Sequence, residues 1–143
     1  MTFELDTRLQ RDCLAVGRFA LCRVLLMNDA NFPWFVLVPQ RAQVREIHQL
    51  KGPDRLQLMT ESCAFAIAME RAYAPDKLNV AALGNVVQQL HLHHIARYHD
   101  DPAWPAPVWG AVPPRPYTDA ERAGRLARLR GALTGEFDWD ADP

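Results

Sequence analysis

The stretch NVVQQLHLHHIARYHDD, residues 85–101, holds four of the chain's five histidines: His91, His93, His94 and His99. Side chains alternate across a strand, so a strand here puts Gln89, His91, His93 and Ile95 on one face and Leu90, Leu92, His94 and Ala96 on the other. The face with two leucines is assigned to the core. The first then points a row of hydrogen-bonding groups at a pocket or at solvent. Same-face neighbours stand about 6.6 to 7 Å apart along a strand, a spacing at which two imidazoles can reach opposite sides of one phosphoryl-sized ligand. His94, on the core face, is read as a buried, satisfied histidine, and His99, in a polar turn, as surface.

Before this segment KLNVAALGN reads as another strand, with Gly84 and Asn85 forming the turn between the two. Further back, GPDRLQLMTESCAFAIAMERAYAP has Pro and Asp suited to a first helical turn. It also carries apolar residues at helical spacing: Leu56, Met59, Cys63 and Ile67 beside Leu58, Phe65 and Met69. This is the long core helix. WFVLVP (34–39), bounded by Pro33 and Pro39, and FALCRVLLMND (19–29) are predicted strands. DTRLQRDCLAVG is predicted to be a short helix. Thr7 and Gln10 would form its capping box, Leu9, Cys13 and Val16 would line one side, and Gly17 would end it. After the histidines, residues 100–117 hold six of the eleven prolines and two of the four tryptophans. They are expected to form a stiff extended loop whose Trp104 and Trp109 cover part of the molecule. A closing helix is capped by Thr118 and Glu121, with Leu126, Leu129 and Leu133 inward and Arg122, Arg125 and Arg128 outward. Connections this short suit an antiparallel sheet in an α+β fold.

The 143 residues, about half apolar, fit a single domain spanning 1–143. The formal net charge of −1, with both signs interspersed, offers no basic face for long nucleic acid. Cys13, Cys22 and Cys63 are few, odd in number and far apart, which argues against a disulfide framework and for a reducing cytoplasm. The N-terminal residues lack a signal pattern, and no run reaches the roughly 18 apolar residues of a spanning helix, so no membrane association is expected.

An imidazole is mostly neutral and nucleophilic at pH 7, given an ordinary pKa of about 6.5. His91 can therefore attack phosphorus if its other ring nitrogen is held as a donor and nearby groups stabilise the phosphoryl oxygens. Gln89 and His93 flank it two residues away on the same face. A metal-dependent hydrolase using His91 and His93 as an H-x-H pair is an alternative. Against it, the sequence holds no H-E-x-x-H, and His48 lies apart in REIHQL.

GNVVQQLHLHHIAR resembles the signature of the histidine triad (HIT) nucleotide hydrolases and transferases, His-φ-His-φ-His-φ-φ with φ apolar. Gln89 stands at the first His position, His91 at the second and His93 at the third. Gly84 and Asn85 fall where the family has a phosphate loop, and LLMNDANFPWFVLVPQR looks like its strand pair around a ribose-binding Asn or Asp. The similarity covers about residues 20–110, leaving the Pro/Trp-rich loop and helix of 100–134 as a C-terminal addition.

The resemblance implies a HIT-like antiparallel sheet of about five strands with one long core helix and shorter flanking helices. It also implies a hydrolase that cleaves a nucleoside phosphoramidate or dinucleoside polyphosphate without a cofactor, on a purine nucleotide or nucleotide conjugate. In that reading His91 is the nucleophile that carries the nucleotidyl intermediate, and His93 binds phosphoryl oxygens and helps the leaving group depart. Asn28 or Asp29 takes the ribose hydroxyls, Asn85 holds the phosphate side, and the protein is a homodimer. Three departures stand out. Gln89 cannot shuttle a proton as a first histidine could, His94 occupies an apolar position, and the histidine many members carry near the LV-x-P strand is missing. A nucleotide-binding module with little catalysis is the reading those departures favour.

Overall fold

The computed structural model describes residues 1–141. Its elements are α1 (Thr7–Asp12), β1 (Cys13–Arg18), β2 (Cys22–Met27), β3 (Trp34–Pro39), α2 (Gly52–Tyr73), β4 (Lys77–Ala81), β5 (Leu92–Arg97), α3 (Asp119–Ala132) and β6 (Asp138–Trp139). The strands form one antiparallel sheet of six, in the order β4-β5-β3-β2-β1-β6. This is the expected α+β architecture with one more strand than the sequence suggested. One strand that the sequence did not suggest is the two-residue β6 at the outer edge of β1. It comes so close to Gly17 that a Cβ there would collide with Asp138 O and the Phe137 ring.

The first helix is shorter than expected. It ends at Asp12, and Cys13–Arg18 is a strand. A register shift between Ala15 and Gly17 explains the misreading, because it breaks the two-residue alternation and buries Cys13 and Val16 three residues apart, as a helix would. The cap is Asp6, whose carboxylate accepts from Arg8 N at 2.8 Å, and not a Thr7–Gln10 box. Gln10 Nε2 instead donates to Leu5 O.

The long helix forms as expected but is rotated. Leu58, Phe65 and Met69 face the sheet, whereas Leu56, Met59 and Ile67 are 73, 59 and 49 % exposed and Cys63 lies outside with them. Glu61 explains the phase. Its buried carboxylate accepts from Leu21 N at 2.9 Å and Cys22 N at 2.8 Å, both in the chain entering β2. A buried carboxylate must keep its donors, so the helix face bearing Glu61 has to meet the sheet. The main core lies between α2 and the sheet, where Phe65, Ala68 and Met69 pack on Val24, Leu26, Phe35, Leu37, Leu92 and Ala96.

The opposite face of the sheet is covered in two patches. The N-terminal segment lays Leu5 and Leu9 on Cys13, Leu25, Val36 and Val38. At the other end Phe32, Trp34, Ile95 and Val108 cluster, with Trp109 against them. The Pro/Trp-rich segment is turn-rich up to Val112 and extended only from 113 to 118. Asp101 makes those turns possible by accepting from Tyr98 N, Ala103 N and Trp104 N, while its carboxylate pairs with the buried Arg97. Burial pushes the Asp101 carboxyl up, but the Arg97 guanidinium and the backbone donors outweigh it and hold it at about 2. α3 carries the expected Thr118–Glu121 capping box, and Leu126 and Leu129 are buried. Arg125 does not point outward as expected, since its guanidinium lies over the Tyr73 and Tyr117 rings and donates to the Tyr117 hydroxyl.

Candidate functional site

The histidine strand begins later than the alternation suggested. β5 starts at Leu92, and residues 82–91 form an irregular loop. Leu90 N donates to Val44 O, Val86 O accepts from Arg8 Nη1 and Gln89 O from the His91 ring, so these backbone groups are spent outside the sheet. His91 therefore sits just ahead of the ladder and not in its middle. The facing pattern is nevertheless as expected. His91 and His93 share one side with ring centroids 4.7 Å apart, while Leu92 and His94 point to α2, where His94 Nε2 meets Ser62 Oγ at 2.8 Å.

His91 Nδ1 lies 2.7 Å from Gln89 O. A carbonyl only accepts, so the proton is on Nδ1 and Nε2 carries the lone pair. Among the described residues no group hydrogen-bonds Nε2, and His91 lines a cavity of about 320 Å³ with Arg45, Glu46, Gly84, Asn85 and Gln88. Burial pushes the His91 pKa down, against the opposing pull of Gln89 O and Asp6, so the ring is neutral at pH 7. Gly84 stands against this ring: a Cβ there would come 3.3 Å from His91 Cε1 and 2.5 Å from Val87 O.

His93 is held at both nitrogens. Nδ1 accepts from Trp34 Nε1 at 3.0 Å, and Nε2 donates to Leu83 O at 2.8 Å. Burial lowers its pKa to about 4. In this structure it thus has no free nitrogen for a phosphoryl oxygen. The Gln89 amide is turned away as well: Nε2 donates to Glu4 O and Oε1 accepts from Asp6 N, so the expected donation to a phosphoryl group is replaced by a clasp on the N-terminal segment. What Gln89 gives the site is its main-chain oxygen.

Asn85 is exposed on the cavity wall. Asn28 and Asp29 follow β2 and are bound to the C-terminal segment. Asn28 Oδ1 accepts from Tyr117 N at 2.9 Å, and Asp29 Oδ1 from Arg115 N at 3.2 Å and Asn31 N at 3.0 Å. The second Asp29 oxygen and the Asn28 amide nitrogen have no protein partner among the described residues. His99 is exposed, as expected. Sequence reasoning missed Trp34, Leu83 and Arg45, each brought in by pairing between distant segments. The P-W start of β3 was visible, but its contact with His93 was not. Both tryptophans cover part of the molecule, as expected: Trp109 meets His93 edge-on at 5.0 Å, and Trp104 lies on the buried Arg97 guanidinium with the exposed His99 against it. Among the described residues no three His, Cys, Asp or Glu side chains group to hold a metal ion, and the H-x-H pair has only His91 Nε2 unengaged.

The family model of the HIT domain matches residues 8–100. No curated protein matches the chain. Three solved structures of histidine triad proteins are similar over nearly their whole length. The one from Marinobacter aquaeolei VT8 is 49 % identical, covering 93 % of this chain and 97 % of its own, with a TM-score of 0.90. That from Sinorhizobium meliloti 1021 is 43 % identical, covering 92 % and 98 %, at 0.90. That from Bradyrhizobium japonicum is 41 % identical, covering 94 % and 100 %, at 0.91. With a family model across most of the sheet and helix, and relatives of this identity sharing the whole fold, the chain belongs to the histidine triad family.

Proposed function

We propose that this protein is a nucleotide hydrolase of the histidine triad type that cleaves a nucleoside phosphoramidate or dinucleoside polyphosphate through a nucleotidyl group on His91. The observation that carries this reading is the His91 ring, which lines the cavity: Nδ1–H is tied to Gln89 O, and among the described residues Nε2 is the one nitrogen of the His91–His93 pair without a hydrogen-bond partner. Nε2 forms a bond to the α-phosphorus as the bond to the leaving nitrogen or phosphate oxygen breaks, and the leaving group departs with the electron pair and takes a proton from solvent. Water then attacks the same phosphorus, gives one proton back to solvent, releases the nucleoside monophosphate and returns the lone pair to Nε2. Asn85 suits donation to the phosphoryl oxygens, and the unengaged Asp29 oxygen and Asn28 amide suit ribose hydroxyls. No cofactor or metal enters these steps.

A second reading, a nucleotide-binding module with weak catalysis, is favoured by the Gln89 side chain, which is committed to Glu4 and Asp6. Turnover of adenosine phosphoramidate with calorimetry of AMP binding separates the two. The hydrolase reading expects His91→Ala to lose turnover while still binding AMP. Equal turnover by that variant sinks the mechanism, and tight AMP binding without turnover by the wild type establishes the module.

We further infer a homodimer in a reducing cytoplasm. Support comes from the uncovered stripe of Leu56, Met59 and Ile67, from the exposed Val80 on edge strand β4, and from three unpaired cysteines. Uncovered apolar surface and open strand edges are where chains pair. No helix among the described residues is long and apolar enough to cross a membrane.

A further inference from the structure

We propose that Trp34 is a positioning residue of the site: its indole N–H fixes the proton of His93 on Nε2, and His93 in that form holds the 82–91 loop against His91. An indole nitrogen can only donate and a carbonyl can only accept. With Trp34 Nε1 at 3.0 Å from Nδ1 and Leu83 O at 2.8 Å from Nε2, one neutral tautomer satisfies both contacts. The other neutral tautomer would set N–H against N–H at Trp34 and a lone pair against the carbonyl at Leu83. The imidazolium would lose the Trp34 bond. The Trp34–His93 contact is enclosed, since both side chains are buried, whereas Leu83 lies in the exposed loop. Water therefore cannot make good a partner lost at Nδ1.

The indole is itself held. Trp34 pairs with Ile95 across β3 and β5, which places its side chain diagonally beside His93. Phe32 and Trp109 meet it edge-on with centroids at 6.4 and 5.8 Å, a favoured arrangement of aromatic rings. Downstream, Leu83 immediately precedes Gly84, whose Cα faces His91 Cε1. The series indole, imidazole, carbonyl, glycine therefore ends on the wall against which the proposed nucleophile rests. The titratable groups acting on His93 are His91 on its own face and His94 on the opposite face, and both disfavour its charged form, in line with a ring that stays neutral.

This assigns His93 a bridging task that an uncharged amide can share. A glutamine at 93 can accept at Oε1 from Trp34 and donate from Nε2 to Leu83 O, in the same order, but cannot titrate.

The activity arm of the test rests on the hydrolase reading above; the spectroscopic arm does not. In ring-nitrogen NMR of the wild type, His93 is expected as the Nε2–H tautomer without titration down to about pH 5, given its pKa of about 4. Trp34→Phe keeps the ring and removes the donor. It should mix the His93 tautomers, speed amide exchange at Gly84 and Asn85, and lower kcat by about 10- to 100-fold with a smaller change in KM, the scale expected for a displaced reacting group. His93→Gln should keep about tenfold more kcat than His93→Ala, with the order of hydrogen bonds preserved. An Nδ1–H or doubly protonated His93 in the wild type overturns the proposal, as does an unchanged tautomer in Trp34→Phe. Equal loss in His93→Gln and His93→Ala also overturns it, since it would make His93 a proton donor in the chemistry. A wild type without turnover would sink the hydrolase reading and leave the tautomer result to decide this one.

Discussion

Ser62 on the core helix and His94 on β5 are joined by a 2.8 Å hydrogen bond, with His94 wholly buried. Because His94 Nδ1 donates to Leu92 O at 3.1 Å, Nε2 is the acceptor and the serine hydroxyl the donor. A histidine thus occupies an apolar position of the family motif because the helix supplies its partner. Ser62→Ala should strand the Nε2 lone pair and cost about 1–3 kcal/mol of stability. Ser62→Ala combined with His94→Leu should recover most of that, because both polar partners are then removed together. Urea unfolding of the single and double variants measures both. A single variant as stable as the wild type would show that the bond contributes nothing.

Stability should fall in mild acid. Burial holds His93 and His94 at about 4, below the ordinary 6.5. Between those values the unfolded chain binds protons that the folded protein refuses, so the contribution is complete above about pH 6.5 and declines as pH drops toward 4. Each histidine adds a slope of at most about 1.4 kcal/mol per pH unit. Urea midpoints at pH 7.5, 6 and 5 should therefore decrease, and His94→Leu should flatten the dependence. A midpoint constant across that range contradicts the assignment.

Gly84→Ala should damage function more than stability. The added methyl would meet backbone oxygen at Val87 and the His91 ring. The exposed loop can move, and overpacking costs typically about 1–3 kcal/mol. The loop's contact with His91 would be lost with it, and a displacement of about 1 Å can reduce turnover by about 100-fold. Steady-state kinetics beside thermal melting tests this. Wild-type kcat/KM in a folded Gly84→Ala protein would mean that the loop has no part in the site.

Sedimentation should reveal assembly through the helix. Met59→Lys with Ile67→Lys puts charge into the uncovered stripe without touching the core. The wild type is expected to run as a dimer and the variant as a monomer. A wild type that is monomeric at all concentrations removes the homodimer from the account.

Much of this was legible in the sequence. β3 begins and ends where Pro33 and Pro39 bracket five apolar residues, α3 starts at its Thr118–Glu121 box, and the two faces of the histidine strand follow from alternation. β1 was hidden because a bulge gave strand residues a helical spacing. The phase of α2 was hidden because apolar residues lie on both sides of it, and the polar residue that decides, Glu61, looks like an ordinary surface acid. His91 was visible as a candidate since its motif is local. The partners of His93, Gln89 and Asp29 were not, because Trp34, Glu4, Asp6 and Arg115 lie 59 to 86 residues away in the chain.

Glu61 carries one more implication. By gripping two amides at the turn into β2, its carboxylate acts as a key in a keyway: α2 can neither roll nor slip by a turn without stranding a buried anion. The same grip determines which hydrocarbon is left over on the outside. A group that never meets solvent or ligand thereby selects the surface by which this molecule could greet another copy of itself.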